Sequence, residues 1–194
     1  MWRVQTADDA EAFALLVARW QEPIFRLCGR MTGDAARAED LTQEVFAKVF
    51  TRRKDFKPQA KFSTWLWRVA LNHCYDELRR KKRHPECSID ENEEEGLELA
   101  CVAPGPDAQM AAAEDCDLVR GALARLPEIS RTVLVLRYCE GLKLREISEI
   151  LELPETTIHS RIAAALGQIT RILKPQFEEG SSAPISRKFP QAIL

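Results

Sequence analysis

The sequence predicts an all-α protein of two small helical domains joined by an acidic flexible linker. Three observations point there. Apolar residues recur at helical spacing through 8–83 and again through 111–174, and no segment alternates convincingly as a strand. Charge is sharply segregated: residues 52–83 hold eleven Lys/Arg against three acids, whereas 84–117 hold eleven acids and no Lys or Arg. Residues 84–110 carry Pro-Gly-Pro at 104–106 and no apolar period, as expected of a solvated connector. A chain of 194 residues is long enough for one or two modest cores. The predicted organisation is 1–83, a linker at 84–110, 111–174, and a loosely ordered tail at 175–194.

In the first domain, Phe13, Leu16, Val17 and Trp20 share one helix face. Ile24, Leu27 and Met31 continue the pattern after Pro23, which is expected to kink or restart the helix. Gly33-Asp34 reads as a stop followed by a start, because an Asp side chain can accept the free amides of a first turn. The next helix runs to about Arg52 and buries Leu41, Val45, Val49 and Phe50. After a loop at 55–61, Ser63 or Thr64 is expected to cap a long helix ending in the basic run Arg79–Arg83. His84-Pro85 terminates it. In the second domain, helices are expected at Met110–Leu126, Ser130–Cys139, Lys143–Leu151 and Thr156–Leu173.

The formal net charge of −2 conceals these blocks, so the basic one suits a polyanionic partner despite the average. The six cysteines lack C-x-x-C spacing and the three histidines complete no ligand set, which predicts reduced thiols and implies no cofactor or metal. The start has no secretory pattern and no apolar run reaches a membrane span, so a cytoplasmic protein without membrane insertion is expected.

The segment 131–162 has the layout of a helix-turn-helix. Leu144, Ile147, Ile150 and Leu151 make a short amphipathic helix, Glu152-Leu153-Pro154 a turn, and Ile158, Ile162, Leu166, Ile169 and Leu173 one buried stripe. Thr156, Thr157, His159, Ser160, Arg161, Ala163 and Ala164 are left on other faces of the first turns. There, hydroxyls and Arg can reach phosphates and base edges while small residues permit close approach. An ordinary helical hairpin with a polar face would show much of the same pattern. Upstream, Phe56, Phe62, Trp65, Trp67 and Tyr75 are interleaved with Lys57, Lys61, Arg68, Arg79 and Arg80. Aromatics among cations suit a separated strand, whose bases are exposed for stacking. At least one of Trp65 and Trp67 must be core, since residues two apart on a helix cannot share a face.

Three stretches, AFALLVARWQEPIFRLCGRMTGDAARAEDLTQEVFAKVF (12–50), FSTWLWRVALN (62–72) and LPEISRTVLVLRYCEGLKLREISEILELPETTIHSRI (126–162), together resemble the extracytoplasmic-function (ECF) group of the sigma-70 family of bacterial RNA polymerase sigma factors. The resemblance implies a core RNA polymerase partner, met at the clamp of its largest subunit through Asp40, Gln43, Glu44 and Phe46 and also at the flap of its second-largest subunit. It implies capture of the melted minus-10 strand of promoter DNA by Phe56, Lys57, Gln59, Lys61, Phe62, Trp65, Arg68, Asn72, Arg79 and Arg80. It further implies minus-35 contacts by Arg145, Thr156, Thr157, His159, Ser160, Arg161 and Ala164, an acidic linker that threads toward the polymerase active site, and an anti-sigma factor partner. The chain departs from the family pattern at Thr156, where Gly is usual, at Lys143, where a Ser/Thr cap is missing, and at Ala163-Ala164-Ala165, where basic or aromatic residues are common. Fewer cations there should make the salt dependence of duplex binding shallower.

Rival readings remain at the level of sequence. A stand-alone helix-turn-helix regulator would account for 126–173 but leave AEDLTQEVF and the aromatic loop without a purpose. A protein-binding helical adaptor would be indifferent to Arg161 or Arg79–Arg83. An enzyme lacks support, since no Gly-rich phosphate loop, H-E-x-x-H or nucleophile motif occurs.

Overall fold

The computed structural model describes residues 1–57, 59–83 and 119–178. The acidic linker at 84–110, the first turns of the helix expected from Met110, the tail beyond 178 and Cys87, Cys101 and Cys116 lie outside them. Among the described residues all regular structure is helical. The chain divides into two compact units.

The N-terminal unit begins with α1 (Trp2–Ala7), which the periodicity did not reveal; Val4 is its buried anchor. Asp9 then caps α2 (Ala10–Thr32), its carboxylate accepting from the Ala12 amide at 2.9 Å. This helix continues through Pro23 without a restart. Proline removes one backbone hydrogen bond, but Ile24, Leu27 and Met31 directly beyond it are fully buried, and that burial offsets the loss. The predicted stop and start both form: Gly33 ends α2 at φ 74°, and Asp34 caps α3 (Ala35–Thr51) by accepting from the Arg37 amide at 2.9 Å.

Leu41, Val45 and Val49 are buried as expected, whereas Phe50 is 37% exposed. Its ring lies 5.1 Å from that of Phe13, and the Arg53 guanidinium sits 4.5 Å over it. A short 3-10 turn, Arg53–Asp55, leads into the loop before α4 (Phe62–Arg83). Neither Ser63 nor Thr64 caps α4; the helix starts one residue earlier, with the Lys61 carbonyl accepting from the Trp65 amide. Helices α2, α3 and α4 pack pairwise into a three-helix bundle. In its centre Cys74 donates to Cys28 across a 3.8 Å Sγ–Sγ separation. That hydrogen bond and burial push the Cys74 thiol well above its usual range, so it stays protonated.

The C-terminal unit comprises α5 (described over 119–124), α6 (Glu128–Leu134), a π-turn at Val135–Cys139, α7 (Leu144–Leu151) and α8 (Glu155–Glu178). Helix α6 starts two residues before the expected Ser130, and α8 extends five residues beyond the expected end at Leu173, through Pro175. The largest buried side chains are Leu134, Leu136, Ile147, Ile158, Ile169 and Leu173, and α6 packs on α8. Arg131 is 7% exposed, and burial draws its pKa down. Its guanidinium donates to the Leu123 and Ala124 carbonyls at 2.9 and 2.6 Å, satisfying the end of α5 from within the core. Gly141 turns the chain out of the π-turn at φ 65°.

Candidate nucleic-acid interface

In the N-terminal unit the aromatic residues pack against one another before they can meet anything else. Phe56 lies 5.6 Å from Trp65 and 6.0 Å from Phe62, and Phe62 reaches Trp20 at 6.4 Å. Trp20 in turn meets Trp67 edge-on at 6.1 Å. Trp67 is core, as one of the pair Trp65 and Trp67 had to be. Phe56 is corrected from a strand-facing residue to a packing one: at 7% exposure its ring has no free face for a base. Phe62 and Trp65 are half-buried, so the cluster ends in a partly open aromatic edge.

Around that edge Lys57, Gln59 and Lys61 are exposed on the loop, where the Ala60 amide closes a turn on the Lys57 carbonyl at 2.9 Å. From Lys61 the spacing to Trp65, Arg68, Asn72 and Arg79 keeps these residues on one side of α4. Asn72 and Arg79 are exposed on it, and Arg68 is half-buried. Arg79 is 3.4 Å from Asp76, an exposed pair that contributes little to stability.

Arg80 is more tightly engaged, donating from Nε and Nη2 to both oxygens of Glu77 at 3.1 and 2.9 Å. The Glu77 side chain is only 3% exposed. Burial alone would raise its pKa, but hydrogen bonds and charge from Arg80 and Arg37 outweigh this and hold it below the usual glutamate value.

Arg37 links this buried carboxylate to the acidic face of α3. Its Nη2 donates to Glu77 at 3.0 Å, and its Nη1 lies 3.3 Å from Asp40 and 3.1 Å from Glu44. The Glu77 hydrogen bond raises the Arg37 pKa, so the guanidinium is a permanent cation. Asp40, Gln43 and Glu44 are exposed together, as the sequence anticipated. Phe46 is not with them: it is 7% exposed and faces the bundle, since its position four residues after buried Thr42 puts it on the packed side. Its candidate role is corrected to packing beneath that surface. The Arg37–Glu77 pair was not singled out from sequence, because 40 residues separate its members and no local period couples them.

In the C-terminal unit α7 and α8 flank the predicted turn. The Glu146 carboxylate accepts from the Lys143 amide at 2.9 Å, the half of a capping box that reaches back from the third helical position; the other half, an oxygen at the cap, is what the missing Ser/Thr would have supplied. Glu152 turns the chain at φ 55°, and the Ser148 hydroxyl donates to the Leu153 carbonyl at 2.6 Å. Ile158, Ile162, Ile169 and Leu173 form the buried stripe, while Leu166 is half-buried. Thr156, His159, Ser160, Ala163 and Ala164 are exposed, Thr157 and Arg161 half-buried, and Arg145 is exposed on α7. Ser160 donates to the Thr157 carbonyl at 2.9 Å, so its hydroxyl must rotate to give that proton to another acceptor.

Two family models match in order along the chain, Sigma-70 region 2 over residues 16–84 and Sigma-70 region 4 over residues 116–169. The chain is also 37% identical over 158 residues to the ECF RNA polymerase sigma factor SigW of Bacillus subtilis, across 79% of this chain and 84% of that one. It belongs to the sigma-70 family, in its ECF group. A second sigma factor, the RNA polymerase sigma-H factor of Pseudomonas aeruginosa, is 34% identical over 181 residues, covering 91% of this chain and 93% of its own.

Among solved structures the fold resembles CnrH in complex with the cytosolic domain of CnrY, with a TM-score of 0.63 at 23% identity over 88% of this chain and 93% of that one. It also resembles the sigma factor RpoE in complex with the anti-sigma factor NepR from Bartonella quintana, with a TM-score of 0.62 at 21% identity over 85% and 98% of the two chains. Sigma factors are transcription initiation factors rather than enzymes, and they bind RNA polymerase. The region 2 match accounts for the N-terminal surfaces that a stand-alone regulator leaves unexplained. Among the described residues no group of His, Cys, Asp and Glu could hold a metal ion, and no helix is long and apolar enough to cross a membrane.

Proposed function

We propose that this chain directs core RNA polymerase to one class of promoter through three surfaces. Asp40, Gln43 and Glu44 on α3 meet the clamp of the largest polymerase subunit. The loop 57–61 with Phe62, Trp65, Arg68, Asn72 and Arg79 takes the melted minus-10 non-template strand. Helix α8 enters the minus-35 major groove with Thr156, Thr157, His159, Ser160, Arg161 and Ala164, and Arg145 of α7 contacts the flanking phosphates. The observation that carries the reading is the half-open aromatic edge at Phe62 and Trp65 rimmed by exposed Lys57, Gln59 and Lys61. That arrangement suits stacking and phosphate contact with a single strand and serves no purpose on a closed duplex. The C-terminal unit then docks near the polymerase flap, and the acidic linker 84–110 leads toward the active site. The protein acts in the cytoplasm and is held in check by an anti-sigma factor covering these faces, as NepR accompanies RpoE in its solved complex.

Run-off transcription from a promoter library, with purified core polymerase and with or without this chain, tests the reading. Specific starts sharing minus-10 and minus-35 sequences should appear only when the chain is added. The absence of any directed start overturns it.

A further inference from the structure

The Sigma-70 region 2 match begins at residue 16, so α1 precedes it. Helix α1 is nevertheless tied to the segment that leads into the strand-capture loop. The Gln5 side-chain amide donates from Nε2 to two backbone carbonyls, Phe56 at 2.9 Å and Lys54 at 3.2 Å. Three residues on, the Asp8 carboxylate accepts from Arg53 Nε at 2.6 Å. The hydrogen bond from Arg53 holds the Asp8 carboxyl below its usual range. Val4, next to Gln5 in α1, is fully buried and anchors the helix from which these two side chains reach.

Among the described residues, the grip falls where the loop's own hydrogen bonding is thin. Apart from the Asp55-to-Arg52 turn and the Ala60-to-Lys57 turn, the carbonyls of Lys54 and Phe56 are held by a side chain 49 and 51 residues away in sequence. A loop fixed before its ligand arrives does not lose that freedom on binding, and affinity rises accordingly.

We propose that α1 braces the strand-capture loop, with Gln5 as the positioning residue that sets where Lys57, Gln59 and Lys61 meet single-stranded DNA. The inference rests on the reading that this loop takes the minus-10 strand. Gln5 touches no DNA in this scheme; it acts through the backbone at 54–56.

The test uses the full-length protein and its holoenzyme. Gln5→Glu keeps the side chain's shape but removes both amide donors, whereas Gln5→Lys retains donors. Three readouts are taken: amide hydrogen exchange at residues 55–61 of the free protein, affinity for core polymerase, and holoenzyme binding to a fluorescent single-stranded oligonucleotide carrying the non-template minus-10 segment of a promoter found by run-off. Gln5→Glu is expected to speed exchange at 55–61 and weaken oligonucleotide binding by about 10-fold, with core affinity unchanged. Gln5→Lys is expected to recover most of both.

Asp8→Asn, at a 61% exposed side chain outside the bundle core, is the companion expected to leave the fold intact and to show a smaller shift in the same direction. Wild-type exchange and oligonucleotide affinity in Gln5→Glu and Asp8→Asn overturn the proposal, as does a loss of core affinity parallel to that of the oligonucleotide. The double variant Lys57→Ala/Lys61→Ala separates the two claims. If it binds the oligonucleotide normally, the loop reading fails and takes the brace with it; if it weakens binding while Gln5→Glu does not, the brace alone fails.

Discussion

Arg37→Ala removes the cation that ties α3 to the buried carboxylate of α4. Losing one partner of a buried ion pair costs about 3–5 kcal/mol because the other charge is left desolvated. Here Glu77 is 3% exposed, but Arg37 is itself 20% exposed and Arg80 stays on the carboxylate, so the expected cost is nearer ~2 kcal/mol. For a unit of this size such a loss lowers the thermal midpoint by about 10 °C.

The assay can be confined to the right unit, because all four tryptophans (Trp2, Trp20, Trp65 and Trp67) lie in the N-terminal one. Urea unfolding followed by tryptophan fluorescence therefore reports on that unit. In a double-mutant cycle, Arg37→Ala should cost much less in a Glu77→Gln background, where no charge is stranded. An effect under ~0.5 kcal/mol, typical of an exposed pair, would refute the assignment of Glu77 as a buried, dependent charge.

The same pair predicts the acid limb of stability. The folded-state pKa of Glu77 is depressed, so its contribution is fully present above the usual glutamate value, near about 4.3, and fades as pH falls through the lower folded value. Urea midpoints measured from pH 6 downward should decline less steeply in Arg37→Ala than in the wild type. Ile158→Ala, at a fully buried position of α8, should cost ~2–5 kcal/mol, read by far-UV circular dichroism while the tryptophan transition stays in place. Gly33→Ala should lose about 1 kcal/mol because φ is 74° there, whereas Gly167→Ala, in open space within α8, should gain about that amount; chemical denaturation distinguishes the signs. Reversing Asp40 and Glu44 to Lys should weaken core polymerase binding by 10-fold or more in a fluorescence competition assay; both carboxylates also pair with Arg37, so urea unfolding of the same variant separates lost binding from lost stability.

Much of the fold was legible in the sequence because its signals are local. A stripe repeating every 3.6 residues fixed the buried faces of α2, α3, α7 and α8, and Gly33-Asp34 marked an end and a start that a left-handed backbone and a side-chain cap enforce. The exposed acids on α3, the basic loop and the polar start of α8 were likewise visible, since spacing alone keeps them off the apolar stripe.

What sequence could not decide were pairings between distant segments. The burial of Phe46 and Phe56 depended on which rings and helices closed over them. The continuity of α2 through Pro23 depended on packing beyond the proline, and both the Arg37–Glu77 bridge and the Gln5 grip on the loop join residues 40 or more apart. Periodicity and capping act within a turn or two of helix, whereas desolvation of a charge or a ring is set by whatever the folded chain brings against it. So the sequence alone determined the helices and the kind of surface each carries. Only the tertiary structure decided which of those residues remain free to bind and which hold the others in place.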